Sequence, residues 1–184
     1  PPDLRTADGV VLDGDIATRL AGPQAAGQFA QAAGQAAPGA APIGTVQNLD
    51  GIVTVTRADG TRVTLKTGDP VYQGDIIETG KKGAVGIVFA DESSFSLGDS
   101  GRMILDELIY DPGAQQGKAA MSLLQGAFTF VSGQIAKTGV DAMVVNTPTA
   151  TIGIRGTAGG GSVKTDGVMT IAITNERGNI VGEV

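Results

Sequence analysis

The sequence predicts an all-β domain, a compact sandwich or roll of about ten short strands that is partly solenoid-like, preceded by an extended N-terminal arm. From Ile43 onward apolar and polar residues alternate at a period of two, and no stretch of the domain sustains a helical period of about 3.6. The apolar residues are mainly Val, Ile, Leu and Ala, with no Trp and 4% aromatics, which favours thin β layers. Glycine occurs 29 times in 184 residues, which is well above the usual share of about 7% and indicates many tight turns.

The arm comprises residues 1–42, and the β domain comprises residues 43–184. Residues 21–42, AGPQAAGQFAQAAGQAAPGAAP, have the composition of a linker that cannot form a core. An Ala-rich helix is the alternative, but the repeated Gly and Pro disfavour it. Residues 10–16, VVLDGDI, are predicted to be a strand that docks on the domain or on a neighbouring molecule. The candidate interaction residues of this strand are Val10, Val11, Leu12 and Ile16.

The domain begins with an Asp-Gly hairpin that recurs along the chain. Val53 and Val55 precede an Ala-Asp-Gly turn at 58–60, and Val63 and Leu65 follow it. The pattern returns 32 positions later, with Val85 in the place of Val53. The other residues of the second copy are Ile87, Ala90, Asp91, Ser93, Phe95 and Leu97. A looser third copy, VKTDGVMTIAI, turns at 166–167 and forms a C-terminal hairpin extension. We interpret the pattern as an internal repeat of one hairpin unit.

Longer strands are predicted in the second half of the domain. The segments RMILDELIY at 102–110 and AAMSLLQGAFTFV at 119–131 flank a polar loop of turn residues, DPGAQQGK. In the second of these strands Leu124, Phe128 and Phe130 are predicted to share one face, which we interpret as core.

Composition excludes most catalytic chemistry. The chain has no cysteine and no histidine, so thiolate nucleophiles, imidazole bases and the usual zinc ligands are absent from the sequence. We therefore predict no enzymatic activity and no cofactor. The net charge of −6 and the lack of clustered cations make nucleic acid an unsuitable partner. No stretch of the sequence approaches the roughly 20 apolar residues of a membrane span.

Two acidic groups are candidates for calcium binding, but their spacing follows no known calcium loop. Both lie next to predicted turns, so we interpret them as solvated turn residues. The groups are Asp91, Glu92 and Asp99, and Asp106, Glu107 and Asp111. A Ser-Lys nucleophile pair from Ser93 or Ser94 with Lys118 or Lys137 lacks any flanking motif that would support it.

The stretch TPTATIGIRGTAGGG, residues 147–161, has two interpretations. In the first, Thr149, Thr151 and Ile154 belong to a strand of the sheet, and Arg155 snorkels or pairs with an acidic neighbour. In the second, residues 156–161 form a hinge or recognition loop, in which Arg155 donates a planar fork to a partner's carboxylate. The candidate interaction residues here are Arg155, Gly156, Thr157 and Gly159.

Three ordered motifs carry a family resemblance. The segments TGDPVYQGDIIETGKKGAVGIVFADESSFSLGDSGRMILDELIYDP, SLLQGAFTFVSGQIAK and VVNTPTATIGIRGT resemble the FecR domain, named after the ferric citrate regulator. The resemblance covers roughly residues 63–157. It implies a non-enzymatic domain: founding members relay a signal in the periplasm from an outer-membrane receptor to a sigma-regulating segment, and other members belong to long exported proteins. This sequence contains no anti-sigma segment, and its Ala/Gly/Pro arm is more typical of an exported surface protein.

We therefore expect a structural or interaction module of a bacterial cell-surface or secreted protein, and we take the chain for a piece of something longer. It would bind partners or other copies through its sheet edges and its arm. The alternative is a periplasmic signal-relay module of a FecR-type regulator. Both place the protein outside the cytoplasm.

Overall fold

The computed structural model describes residues 40–156, 158–174 and 180–183, and the structural statements below refer to these residues. They form a sheet of fourteen strands and one 3₁₀ helix, Ile135–Lys137. The strands are β1 (Gly44–Asp50), β2 (Val53–Thr56), β3 (Arg62–Thr64), β4 (Pro70–Val71), β5 (Ile76–Thr79), β6 (Ala84–Phe89), β7 (Ser94–Leu97), β8 (Arg102–Asp111), β9 (Gln116–Val131), β10 (Met143–Asn146), β11 (Thr151–Ile154), β12 (Ala158–Val163), β13 (Met169–Thr174) and β14 (Ile180–Glu183). The all-β prediction is confirmed. The strands outnumber the predicted ten because short ones such as β4 carry too few residues to show a period.

One continuous sheet curls around a single core, and β9 lies at its centre. The order is β3-β2-β5-β8-β9-β7-β6-β1-β4, with β10 and β11 attached to the first part of β9 and β12, β13 and β14 attached to its last part. We call the side with β8 and β10 the first half-sheet and the side with β7 and β12 the second half-sheet. The pairing of β9 with β10 is parallel, and the other described pairs are antiparallel.

Strand β9 passes from one half-sheet to the other at Gly126. Residues up to Gln125 pair with β8, and residues from Gly126 onward pair with β12. Gly126 has φ +108°, a conformation that side chains rarely adopt, and a Cβ atom there would lie 2.5 Å from the Cα atom of Gly101. Glycine is therefore required at the point where the strand changes half-sheets.

The prediction that Leu124 shares a face with Phe128 and Phe130 is wrong for Leu124. The two phenylalanines are buried, but Leu123 is the fully buried leucine and Leu124 is only half-buried. The register of β8 against β9 shifts at Leu124, which therefore has no residue opposite it. This bulge reverses the order of inward and outward side chains along β9.

The 32-residue repeat is confirmed in the register of the two hairpins. Val55 pairs with Val63 in the hairpin of β2 and β3, and Ile87 pairs with Phe95 in the hairpin of β6 and β7. The same shift superposes β1 on β5 and β4 on the start of β8. When each strand is exchanged for its equivalent in the other repeat, the order β3-β2-β5-β8 becomes β7-β6-β1-β4, so the two orders correspond strand by strand. Because β1 pairs with β6 and β5 pairs with β2, the two repeats exchange their first strands.

The turn chemistry also repeats, and it confirms the third, looser copy. In the first turn the amide of Arg57 donates to the carbonyl of Thr61, and the Asp59 carboxylate accepts the Thr61 amide at 2.8 Å. Asp91 and Asp166 accept the corresponding amides in the other two turns. The residues that follow these aspartates all have positive φ, and they are Gly60 (+89°), Glu92 (+69°) and Gly167 (+87°).

A buried ion pair connects the two repeats. Arg57 is 4% exposed and Asp75 is 1% exposed, and their side chains are in direct contact. The guanidinium lies 5.0 Å from the centre of the Tyr72 ring, and Asp75 accepts the Tyr72 amide at 2.8 Å. Burial raises the pKa of Asp75 above its ordinary value, although the Tyr72 amide and Arg57 act in the opposite direction. Among the residues that the structure describes, none forms a hydrogen bond with Arg57 Nε or Asp75 Oδ1.

Candidate interaction surface

The structure describes three of the predicted interaction residues, which lie at the end of β11 and in β12. Arg155 is exposed directly after β11, and Gly156 follows with φ +61° in open space. Gly159 lies within β12. The other predicted residues lie outside the part of the chain that the structure describes, and they are Thr157, Val10, Val11, Leu12 and Ile16.

The interpretation of residues 156–161 as a loop is wrong for residues 158–161, which form the first part of β12. This strand lies between β9 and β13. A Cβ atom on Gly159 would lie 2.8 Å from the Ala172 carbonyl oxygen, and one on Gly161 would lie 2.1 Å from that of Thr170. The glycines therefore permit close packing of strands, whereas a run of glycines in the sequence suggests flexibility.

The strand prediction for the preceding residues is confirmed for Thr151 and Ile154, which belong to β11. Thr149 instead lies in the turn between β10 and β11, where its hydroxyl donates to the Gly167 carbonyl. A proline at position 148 removes a donor for strand pairing at this point.

A groove of about 720 Å³ runs along the outer face of the second half-sheet. Its centre is a row of small residues that lie opposite one another across four strands: Ser96, Thr129, Gly160 and Ala172. Val131 flanks this row and is 54% exposed. Among the described residues no charged side chain lines the groove.

The outer face of the first half-sheet has the opposite character. Glu78 accepts from Arg62 at 2.9 Å and lies 3.7 Å from Arg102, and Lys118 lies 2.9 Å from Glu107. The outer faces of the two half-sheets thus differ in surface charge. Sequence reasoning missed the groove because its central residues come from four different strands. The sequence did show the alternation of Ala127 and Thr129 with phenylalanines in β9 and the run of small residues in β12.

The interpretation of Asp91 as a solvated turn residue is wrong. Asp91 and Ser93 are fully buried, and the Asp91 carboxylate accepts the Ser93 amide and the amide of Ile135 at the start of the 3₁₀ helix. Gly133 packs against this site so closely that a Cβ atom would lie 2.3 Å from the Asp91 carbonyl oxygen. The motif residues around 91–93 and 133–135 therefore lock one turn to the segment after β9.

The remaining chemical candidates are engaged in local contacts. Asp106 accepts from the Ser122 hydroxyl at 2.6 Å, Ser93 donates to Asp91, and Lys118 pairs with Glu107. In residues 40–156, 158–174 and 180–183 no group of three or more acidic side chains converges as metal ligands would. The described part of the chain also holds no helix with the length and apolar character of a membrane span.

Comparisons with known proteins identify the family of the chain. The family described as FecR protein matches residues 75–179, which is more than half of the chain. The match extends beyond the predicted end at 157 and so includes the hairpin of β12 and β13. No curated protein matches the chain. A solved structure named "Cell surface anchoring domain" is 37% identical over 34% of this chain and 82% of its own, with a TM-score of 0.33. The chain therefore belongs to the FecR protein family.

Proposed function

We propose that this chain is a non-enzymatic interaction module of an exported bacterial protein, and that the groove on the second half-sheet is its contact surface. The observation that carries the proposal is the uncharged lining of the groove, in a molecule whose net charge is −6. Burying a charged side chain costs free energy unless it is paired, so a partner covers an uncharged face at the lowest cost.

The groove also suits contact with a protein chain. Gly160 and the neighbouring alanines leave the main chain accessible, and small side chains lose little rotamer entropy when they are covered. Val131 adds apolar area at the rim, and the hydroxyls of Ser96 and Thr129 supply hydrogen bonds. The absence of cysteine and histidine from the sequence, and the local engagement of Asp91 and Asp106, support a role without catalysis.

Site-specific photo-crosslinking in the producing bacterium tests this proposal. A photoreactive phenylalanine analogue replaces Thr129 within the groove, and the same analogue replaces Thr151 on the outer face of the first half-sheet as the control. Both positions are exposed strand threonines. We expect discrete protein adducts from position 129 and none from position 151. Equal yields from the two positions, or no adduct from either, would contradict the proposal.

The arm is the second proposed contact with other copies of the chain. Light scattering of the purified chain, with and without residues 1–42, measures this contribution. We expect fewer copies of the chain per particle after the deletion, when the measured mass is divided by the mass of each chain. An unchanged number of copies and an unchanged melting temperature would remove the arm from the proposal and leave the groove.

A periplasmic signal-relay module is the second candidate function, and membership of the FecR family favours it. In this case the adduct from position 129 contains an outer-membrane receptor or its signalling segment. For a surface or secreted module, the adduct contains a second copy or another exported protein. Mass spectrometry of the adduct separates the two functions.

A further inference from the structure

The internal repeat assigns a role to the free edge of β3. The 32-residue shift superposes β3 on β7, and β7 lies between β6 and β9. β3 pairs with β2 on one side, and none of the described residues pairs with it on the other. One copy of the hairpin thus receives an added strand in this fold, and the other copy presents the same edge unfilled.

The backbone groups at the two edges correspond. Ser94 and Ser96 lie opposite Val131 and Thr129 of β9, and the Gly98 amide donates to the Ala127 carbonyl at 2.7 Å. The equivalent residues in the first copy are Arg62, Thr64 and Lys66. The Leu65 amide donates to the Val53 carbonyl of β2, so the main-chain groups of Arg62 and Thr64 point away from β2.

The third position of this edge, Lys66, already has a hydrogen-bond acceptor for its amide. Where the Gly98 amide donates to β9, the Lys66 amide donates to the Asp69 carboxylate at 2.8 Å. An oxygen acceptor therefore occupies the same place in both copies, supplied once by a strand and once by a side chain.

The side chains on this edge define the chemistry of a partner. Arg62 and Lys66 are exposed, and Val63 is half-buried against the core. Val63 is the equivalent of Phe95, which pairs with Phe130 of β9. A strand added here needs an apolar residue opposite Val63 and an acidic residue opposite Lys66, whereas Arg62 already pairs with Glu78 at 2.9 Å.

We propose that the free edge of β3 binds an extended acidic segment of another protein, which adds to the sheet as an antiparallel strand. The segment takes the place that residues 127–131 of β9 take beside β7. This site lies on the first half-sheet and does not depend on the groove, so the two proposals succeed or fail separately.

A peptide derived from β9 tests the proposal directly. The probe is fluorescein-labelled Gly-Glu-Phe-Thr-Phe-Glu-Ser, which is the sequence of residues 126–132 with glutamate at positions 127 and 131. Fluorescence anisotropy against the full chain measures its binding at low ionic strength. We expect saturable binding that weakens with added salt, and weaker binding of the same peptide with lysine at both positions. Absence of saturable binding, or equal binding of the two peptides, overturns the proposal.

Two variants locate the bound peptide. Thr64→Pro removes an amide that points away from β2, and we expect its affinity for the acidic peptide to fall by about tenfold. The control is Thr151→Pro at the start of β11, another edge strand, and we expect it to leave the affinity unchanged. Equal effects of the two prolines in chains with unchanged circular dichroism overturn the proposal.

A charge exchange keeps the test decisive if the proline variant does not fold. In Lys66→Glu the exposed cation becomes an anion. The variant chain should therefore bind a peptide with lysine at position 127 more tightly than the peptide with glutamate there. A retained preference for glutamate places the peptide elsewhere and overturns the proposal.

Discussion

At the scale of single residues, the repeat shows two solutions for equivalent buried positions. The strand register places Asp75 opposite Arg57 in one copy and Gly44 opposite Phe89 in the other, and all four residues are buried. One copy therefore holds an ion pair where the other copy holds a phenylalanine that packs on a glycine. A buried ion pair is often no more stabilising than an apolar pair of similar volume, but the loss of one partner leaves a buried charge uncompensated.

Replacing both ionic residues should therefore cost less than replacing either one. We expect Arg57→Phe and Asp75→Ile each to lower the free energy of unfolding by about 3–5 kcal/mol, and the double replacement to lower it by less than either. Urea unfolding of the three variants and the parent chain measures this cycle. Additive losses in the double variant would show that the pair contributes a net attraction that apolar packing does not replace.

Glu92 occupies a turn position where the other two copies have glycine. Its φ of +69° is unfavourable for a side chain, and its carboxylate accepts a hydrogen bond from Gln134 at 2.9 Å. We expect Glu92→Gly to raise the free energy of unfolding by about 0.5–1 kcal/mol, because relief of the backbone strain outweighs the loss of one exposed hydrogen bond. The control Glu92→Ala loses that bond and keeps the strain, so it should destabilise the chain. Thermal unfolding of the two variants measures the difference. An equal decrease in the melting temperature of both variants would contradict this expectation.

At the scale of elements, β9 is the strand on which the architecture depends most. Because Gly126 combines a positive φ with close approach to Gly101, Gly126→Ala should lower the free energy of unfolding by about 2 kcal/mol or more. Gly139→Ala is the control, since a Cβ atom there meets open space, and it should be neutral or slightly stabilising. Urea unfolding compares the two variants, and comparable effects would show that β9 can change half-sheets without glycine.

The elements that sequence reasoning found are those with local causes. The hairpins around 58–60 and 166–167 follow from Asp-Gly turns, whose side-chain and backbone requirements lie within a few residues. The bulge at Leu124 and the glycine strand β12 were misjudged, because each depends on what lies in the neighbouring strand. The parallel pairing of β9 with β10 likewise has no local signal.

At the scale of the whole molecule, the exchange of first strands makes the two repeats mutually dependent. The second strand of each repeat pairs on one side with its own third strand and on the other side with the first strand of the other repeat, β2 with β5 and β6 with β1. The core residues of both repeats also belong to one cluster. The described domain should therefore unfold as one cooperative unit.

The two tyrosines of the chain provide the test of this cooperativity. Tyr72 lies between the repeats and Tyr110 lies in β8, so Tyr72→Phe and Tyr110→Phe each leave a single fluorescent reporter. We expect the fluorescence and circular dichroism transitions in urea to coincide within each variant. Separate midpoints for the two signals would show that the repeats unfold independently.

The two outer faces of the molecule connect this architecture to its proposed role. The two half-sheets have different surfaces, one with the ion pairs of Glu78 and one with an uncharged groove centred on β7, β9, β12 and β13. The difference supports the proposed contact role of the groove. Selection for the fold alone leaves no reason to keep charge away from one face.

The amino-acid sequence by itself determined the all-β class, the repeat of 32 positions, the FecR resemblance and the lack of thiol and imidazole chemistry. These are properties of composition and of contacts between residues near in the chain. Only the tertiary structure decided that the repeats exchange strands, that Asp91 is buried, and that small residues from four strands form a groove. The physical reason is that strand pairing joins residues far apart in the chain through backbone hydrogen bonds, which are the same for every sequence.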